Sequence, residues 1–163
     1  MLITCHAART LACTPEQAFD LATDASRFPD FFDGFGPIPG VRAVRLDGPL
    51  VPGATREVHN VDGSVLRETV HVVERPRRHA YRLDGFRPPF GWLVGHADAT
   101  WTFAPSAHGT VVEWSYAFSL ASPLAAPIAR PLLQVFMAGA MARCLAAMAR
   151  TVIAPAARPE AAR

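Results

Sequence analysis

Residues 96 to 119 read HADATWTFAPSAHGTVVEWSYAFS. Two alternating runs flank the turn chemistry of PSAHG. Folding them back with Phe103 opposite Val112 also sets Trp101 opposite Trp114, Ala99 opposite Tyr116 and Ala97 opposite Phe118. One face of this hairpin is then continuously apolar, while Asp98, Thr100, Thr102, Glu113 and Ser115 keep the other wet. A sheet with one wet face needs an apolar element against its other face. The chain holds one of the right size: Leu133, Met137, Met141, Leu145, Met148 and Val152 recur at spacings of three and four, which predicts a helix over about 131–152 with one apolar face.

The remaining elements follow from local signals. Residues 2–12 read as a strand. Thr14-Pro15-Glu16-Gln17 is a helix start, with Thr14 as cap, and predicts a short helix over 15–24. A second helical segment begins near Ser26 and ends at the GPIPG run. Strands are expected at about 41–47, 54–60, 64–74, 79–85, 96–104 and 110–119, separated by GPLVPG, VDGS, ERPRR and PSAHG. Residues 1–153 read as one domain and 154–163, rich in alanine and proline, as a loose tail. The fold class is α+β: a mostly antiparallel sheet of about seven strands against one long helix.

Half of the 163 residues are hydrophobic and 18% are charged, so the chain is globular at the apolar end of the soluble range. A net charge of +2 gives no long-range attraction for nucleic acid. The apolar run from Leu132 to Ala149 is interrupted by Gln134 and Arg143 and preceded by prolines, which reads as a buried amphipathic helix without stable membrane insertion. The N-terminal MLITCHAARTLAC alternates, unlike a secretion signal, and Cys5 and Cys13 lie too far apart along one strand to bond, so a reduced, cytoplasmic setting is expected. The histidines at 6, 59, 71, 79, 96 and 108 never fall at a metal-ligand spacing, and no phosphate-binding glycine loop or nucleophile motif is present, so neither a metal nor a cofactor is expected.

Within 64–74 the inward set is Leu66, Glu68, Val70 and Val72. A carboxylate among apolar neighbours must be neutral, paired or in contact with a ligand. A tight turn at Asp62-Gly63 sets Glu57 across from Glu68, and a bulged turn brings Arg56 there instead; repulsion between two inward carboxylates favours Arg56. Glu68 is the candidate acid or base, with Arg56 and Tyr81 positioning a substrate and Tyr116 as a further hydrogen-bond donor. The alternative is a plain structural salt bridge. Trp101, Trp114, Tyr116 and Phe118 form one apolar wall, faced by Met137, Met141 and Met148, suited to a core or to an adaptable pocket.

Two aromatic segments lack the pattern of regular structure. FPDFFDGFG holds Phe28, Phe31, Phe32 and Phe35 within nine residues, and FRPPFGWLVG holds Phe86, Phe90, Trp92 and Leu93 among prolines and glycines. The second reads as a lid over a cavity, with a homodimer contact or a membrane-touching patch as the rival reading.

The order of elements, with the phrases TPEQAFDLATDASRFPDFF, PGATREVHNVDGSVLRETVHVVERPRRHAYRL, ATWTFAPSAHGTVVEWSYAF and MARCLAAMAR, resembles the SRPBCC or START-like superfamily, in particular its bacterial polyketide cyclase/dehydrase-like branch, over about residues 2–152. The resemblance implies a helix-grip fold with a deep apolar cavity between sheet and helix. It also implies a small hydrophobic ligand such as a lipid, quinone or polyketide, with cyclisation, aromatisation or dehydration in a minority of members. On that fold Phe28, Phe31, Phe32 and Phe35 are expected to close the cavity mouth opposite Phe90 and Trp92, with Val70 contributing to the lining and Asp30 and Asp33 facing water.

Overall fold

The computed structural model describes residues 1–152, so the expected tail at 154–163 lies outside the described residues. The elements run β1 (Leu2–Leu11), α1 (Pro15–Thr23), β2 (Gly34–Phe35), β3 (Ile38–Pro39), β4 (Val41–Leu46), β5 (Thr55–Asn60), β6 (Val65–Glu74), β7 (Arg78–Asp84), β8 (Val94–Ser106) and β9 (Gly109–Leu120), followed by α2 (Ala126–Pro131), a π-helical segment (Leu132–Met137) and α3 (Ala138–Val152). One-turn 3₁₀ helices sit at Phe28–Asp30, Phe90–Trp92 and Pro123–Ala125.

The hairpin pairing follows the alternation. Trp101 faces Trp114, Ala99 faces Tyr116, Ala97 faces Phe118 and Phe103 faces Val112, and all eight are buried. Seven strands form one antiparallel sheet in the order β1-β9-β8-β7-β6-β5-β4, with β1 and β4 as its free edges. Bulges between Val41 and Ala43, Val70 and Val72, and Val94 and His96 bend the strands they interrupt. The curved sheet remains open and grips the C-terminal helix, the helix-grip arrangement.

The helix α1 starts as its sequence predicts: the Gln17 N–H donates to Thr14 Oγ1, and the Thr14 N–H donates to Gln17 Oε1. Its Ala18, Phe19, Leu21 and Ala22 are buried. The helical run from Pro123 to Val152 is long and apolar enough to cross a membrane by length and composition. Here α3 packs on β1 and buries Ala140, Met141, Cys144, Leu145 and Met148, the face of an amphipathic core helix.

The helix is not the single α-helix expected from about 131 onward. Pro131 has no N–H to give its own turn, and the chain passes from α2 through the π segment before α-geometry resumes at Ala138. The GPIPG run also does more than end a helix, because it folds β2 and β3 into a small ribbon. Its turn seats Gly36 at φ +57, where an added Cβ would lie 2.5 Å from Phe136 Cδ1. Reciprocally, the Phe35 ring lies over Gly139, whose Cβ would meet it at 2.6 Å, and the Arg143 guanidinium caps Phe35 at 4.2 Å. Gly36→Ala is expected to cost about 1–3 kcal/mol, from the left-handed backbone and the displaced ring together, measurable as a lowered urea midpoint.

Candidate functional site

Between the concave sheet face and the start of the C-terminal helix lies a cavity of about 620 Å³. Its walls come from several elements. Trp114, Tyr116 and Phe118 of β9 and Leu83 of β7 form the back, and Val58, Leu66 and Glu68 of β5 and β6 form the side. Phe28 and Phe32 contribute from the first aromatic segment, and Ile128, Leu132 and Met137 from the helix. At the mouth stand Phe86, Phe90 and Leu93 with Pro88 and Pro89, and across from them Asp62, Gly63 and Ser64 of the β5–β6 turn. The lining is mostly apolar.

The polar floor is set by strand register. The β5–β6 turn is not the tight two-residue form: Asn60 N–H donates to the Ser64 carbonyl, Gly63 adopts φ +83, and Arg56 falls opposite Glu68. The register therefore delivers the oppositely charged pair that electrostatic repulsion favours over two carboxylates. Both side chains are buried, Arg56 at 7% and Glu68 at 4% exposure. Arg56 Nε donates to Glu68 Oε1 at 2.6 Å, and Nη2 donates to the same oxygen. Among the described residues, Glu68 Oε2 takes no protein hydrogen bond. Burial pushes the Glu68 carboxyl above the ordinary carboxylate range, with Arg56 pulling the other way.

His79 completes this floor. Its Nδ1 lies 3.1 Å from the Val72 carbonyl, which can only accept, so Nδ1 carries the proton and Nε2 is free to accept from Arg56 Nη2 at 3.3 Å. Burial, and then the Arg56 charge, lower the His79 pKa to about 4 and keep the ring neutral. The hydroxyls of Tyr81 and Tyr116 share one hydrogen bond of 3.0 Å, and burial raises both phenols well above their ordinary range. A second, much smaller pocket of about 30 Å³ lies behind Glu68, lined by Arg56, His79, Tyr81 and Trp101 and reaching Thr23, Asp24 and Ala25. Glu68 borders both spaces.

Of the residues singled out from the sequence, Phe28, Phe32, Phe90, Trp114, Tyr116, Phe118 and Met137 line the large cavity together with Glu68 and Tyr81. Arg56 and Trp101 lie behind it on the small pocket. Five others are placed elsewhere. Met141 is fully buried in the α3 core face, and Val70, one inward step beyond Glu68 on β6, is also fully buried. Phe31 is buried with the Arg27 guanidinium over its ring. Phe35 is turned to the helix by its interlock with Phe136 and Gly139. Trp92 is 70% exposed, because the 3₁₀ turn that brings Phe90 and Leu93 to the mouth rotates the intervening side chain outward. Asp30 and Asp33 are exposed, as expected.

Sequence reasoning missed His79, Val58, Asn60 and Leu83. The inward alternation carrying Val58 and Leu83 was available; the role of His79 was not, since its partners are on other strands.

Comparison with known proteins fits this geometry. A model of the family described as "Polyketide cyclase / dehydrase and lipid transport" matches residues 3–152. Among curated proteins, none matches the sequence significantly. The fold is similar to that of the di-domain ARO/CYC StfQ from the steffimycin biosynthetic pathway, with a TM-score of 0.72 at 14% identity over 93% of this chain and 51% of that one. The chain thus spans about half the length of StfQ. It is similar also to truncated norcoclaurine synthase from Thalictrum flavum, with a TM-score of 0.72 at 15% identity over 95% of this chain and 96% of that one. Protein MLL2253 from Mesorhizobium loti gives 0.66 at 16% identity over 91% and 98%. Identities this low establish a shared fold.

Proposed function

The chain belongs to the polyketide cyclase / dehydrase and lipid transport family, and we propose that within it this protein binds, and carries, a small hydrophobic molecule in the cavity between sheet and helix. One observation carries the reading: about 620 Å³ of space walled mainly by aromatic and aliphatic side chains, with Glu68, Asn60, Asp62, Ser64, Arg87 and the two tyrosines as its polar lining. The size falls within the roughly 300–1,000 Å³ of ligand sites. The three free cysteines are in keeping with a reduced, cytoplasmic setting.

A panel of quinones, fatty acids and aromatic polyketides tests the proposal by thermal shift. A ligand at about 100 times its Kd stabilises by about 2.7 kcal/mol, or roughly 5–10 °C for a chain of this size. Leu83→Trp, which fills the back of the cavity, is expected to abolish that shift while keeping the fold. A panel that leaves the wild-type melting temperature unmoved removes the binder reading.

A second reading is favoured by the position of Glu68. A carboxyl with a raised pKa and an uncommitted Oε2 at a cavity wall is equipped to move a proton beside a ketone, as a cyclase or dehydratase requires, with Arg56 and Tyr81 holding the floor in place. Under this reading Glu68→Gln abolishes turnover of a hydrophobic carbonyl compound and leaves its binding intact.

A further inference from the structure

Among the described residues, Trp114 Nε1 is the one side-chain nitrogen or oxygen that is both sealed off and without a hydrogen-bond partner. Two atoms of the buried charge pair also lack a protein partner. Arg56 engages Glu68 and His79 through Nε and Nη2 and leaves Nη1 unused, while Glu68 accepts at Oε1 and leaves Oε2 unused. Neither is sealed, so each has open space beside it. For Nη1 that space is the small pocket, because Arg56 borders it and not the large cavity, whereas Glu68 borders both.

The small pocket runs from this pair toward the surface. Arg56, Glu68 and His79 at its inner end are buried, and Thr23, Asp24, Ala25 and Val44 at its outer end are half-buried. Its volume of about 30 Å³ admits about two water molecules, at roughly 10–15 Å³ each, and nothing larger than a few atoms. The occupant has to accept from a guanidinium N–H and donate to a carboxylate oxygen. Arg56 and an ionised Glu68 cancel in charge, so the pair calls for no ion. Water does both, is neutral and fits.

We propose that the small pocket is a water passage, by which solvent between α1 and β4 reaches the Arg56–Glu68–His79 cluster without entering the large cavity. Glu68 then has one face on the cavity and one on water. The use of the passage rests on the acid–base reading of Glu68. A proton taken up by the outer water is matched by one passed from the inner water to Oε2, so the carboxyl gains the proton that the solvent loses, and the reverse path empties it. The cluster exchanges protons even while a ligand fills the cavity and closes its mouth.

Hydrogen exchange at the Arg56 guanidinium, read by ¹⁵N NMR on the unliganded protein, tests this. In wild type its N–H signals are expected to exchange with water at least about tenfold faster than the paired amides of β6 and β7 around it. Ala25→Leu and, separately, Val44→Phe fill the outer end and are expected to slow that exchange by about tenfold, whereas Leu83→Trp, which fills the large cavity, leaves it within about twofold. The second plugging variant keeps the test available if the first does not fold. Wild-type exchange as slow as the surrounding amides means a dry pocket and overturns the proposal. So does a rate unchanged in both plugging variants, or one slowed chiefly by Leu83→Trp, which would bring the solvent through the mouth. The acid–base reading fails by a different result, turnover retained in Glu68→Gln, which does not bear on these rates.

Discussion

Arg56→Ala is expected to destabilise the fold by about 3–5 kcal/mol at neutral pH, because it leaves the Glu68 carboxyl buried with no counter-charge. Urea denaturation reads this directly. The deficit should also grow with pH. The folded-state pKa of Glu68 lies above its ordinary 4.5, so the folded state holds a proton that the unfolded chain has released. Its contribution is therefore full below that ordinary value and is lost as pH rises through the folded value.

Without Arg56 the carboxyl rises further, which steepens that loss. His79 acts in the same direction. In the wild type its pKa is lowered from 6.5 to about 4, partly by the Arg56 charge, so stability is lost as pH falls through that window. Removing Arg56 relaxes this acid penalty in the variant. Compared at about pH 5 and about pH 8, the variant should be closer to wild type at the lower value. A deficit equal at both, or one under about 1 kcal/mol, would show that the pair is not the buried charge couple described here. The double variant Arg56→Met/Glu68→Leu should recover most of the loss, since replacing a whole buried pair with apolar groups is often neutral.

Trp101→Ala should cost about 3–5 kcal/mol and lower the melting temperature by roughly 10 °C, whereas Trp92→Ala should stay within about 0.5 kcal/mol of wild type. The two side chains are the same and their surroundings are opposite. Trp101 is 2% exposed, stacked at 4.2 Å on Trp114 and at 6.3 Å on Phe103, so truncation opens a void at the centre of the sheet. Trp92 is 70% exposed. A large loss at Trp92 would mean that its ring is covered in solution, by a second copy or by a surface that it touches.

The pair also shows what could be read from residues alone. Alternation told which way Trp101 points, and it told the pairing of the β8–β9 hairpin residue by residue. The period of two fixes a face whatever the tertiary context. It carries no information on depth. Leu66, Glu68 and Val70 share one inward face, yet the first two border the cavity and the third is sealed within packed side chains. At Val70 the connection between β4 and β5 folds onto β6, with the Gly53 N–H donating to the Val70 carbonyl and the Val70 N–H to the Ala54 carbonyl, contacts that no local pattern encodes.

The helical period had the same limit. It placed Met137, Met141 and Met148 on one stripe, but the π segment ends at Met137, so the cavity lining stops there and the core begins. Electrostatics was more informative than spacing: the repulsion between Glu57 and Glu68 pointed to the correct turn form. His79 escaped notice because its partners Arg56 and Val72 meet it only through strand pairing and the bulge after Val70.

The π segment has a meaning for how such a chain can change over generations. One residue added to an α-helix turns everything beyond it by about 100° around the axis, unless the surplus is absorbed locally, and a π turn is the form that absorption takes. Leu132–Met137 therefore divides the helix into two independently phased halves. Ile128 and Leu132 are aimed at the cavity, and Met141, Leu145 and Met148 at the core on β1. An added residue in the first half can therefore reshape the cavity wall without rotating the second, so the shape of the cavity and the phase of the core face vary separately along one helix.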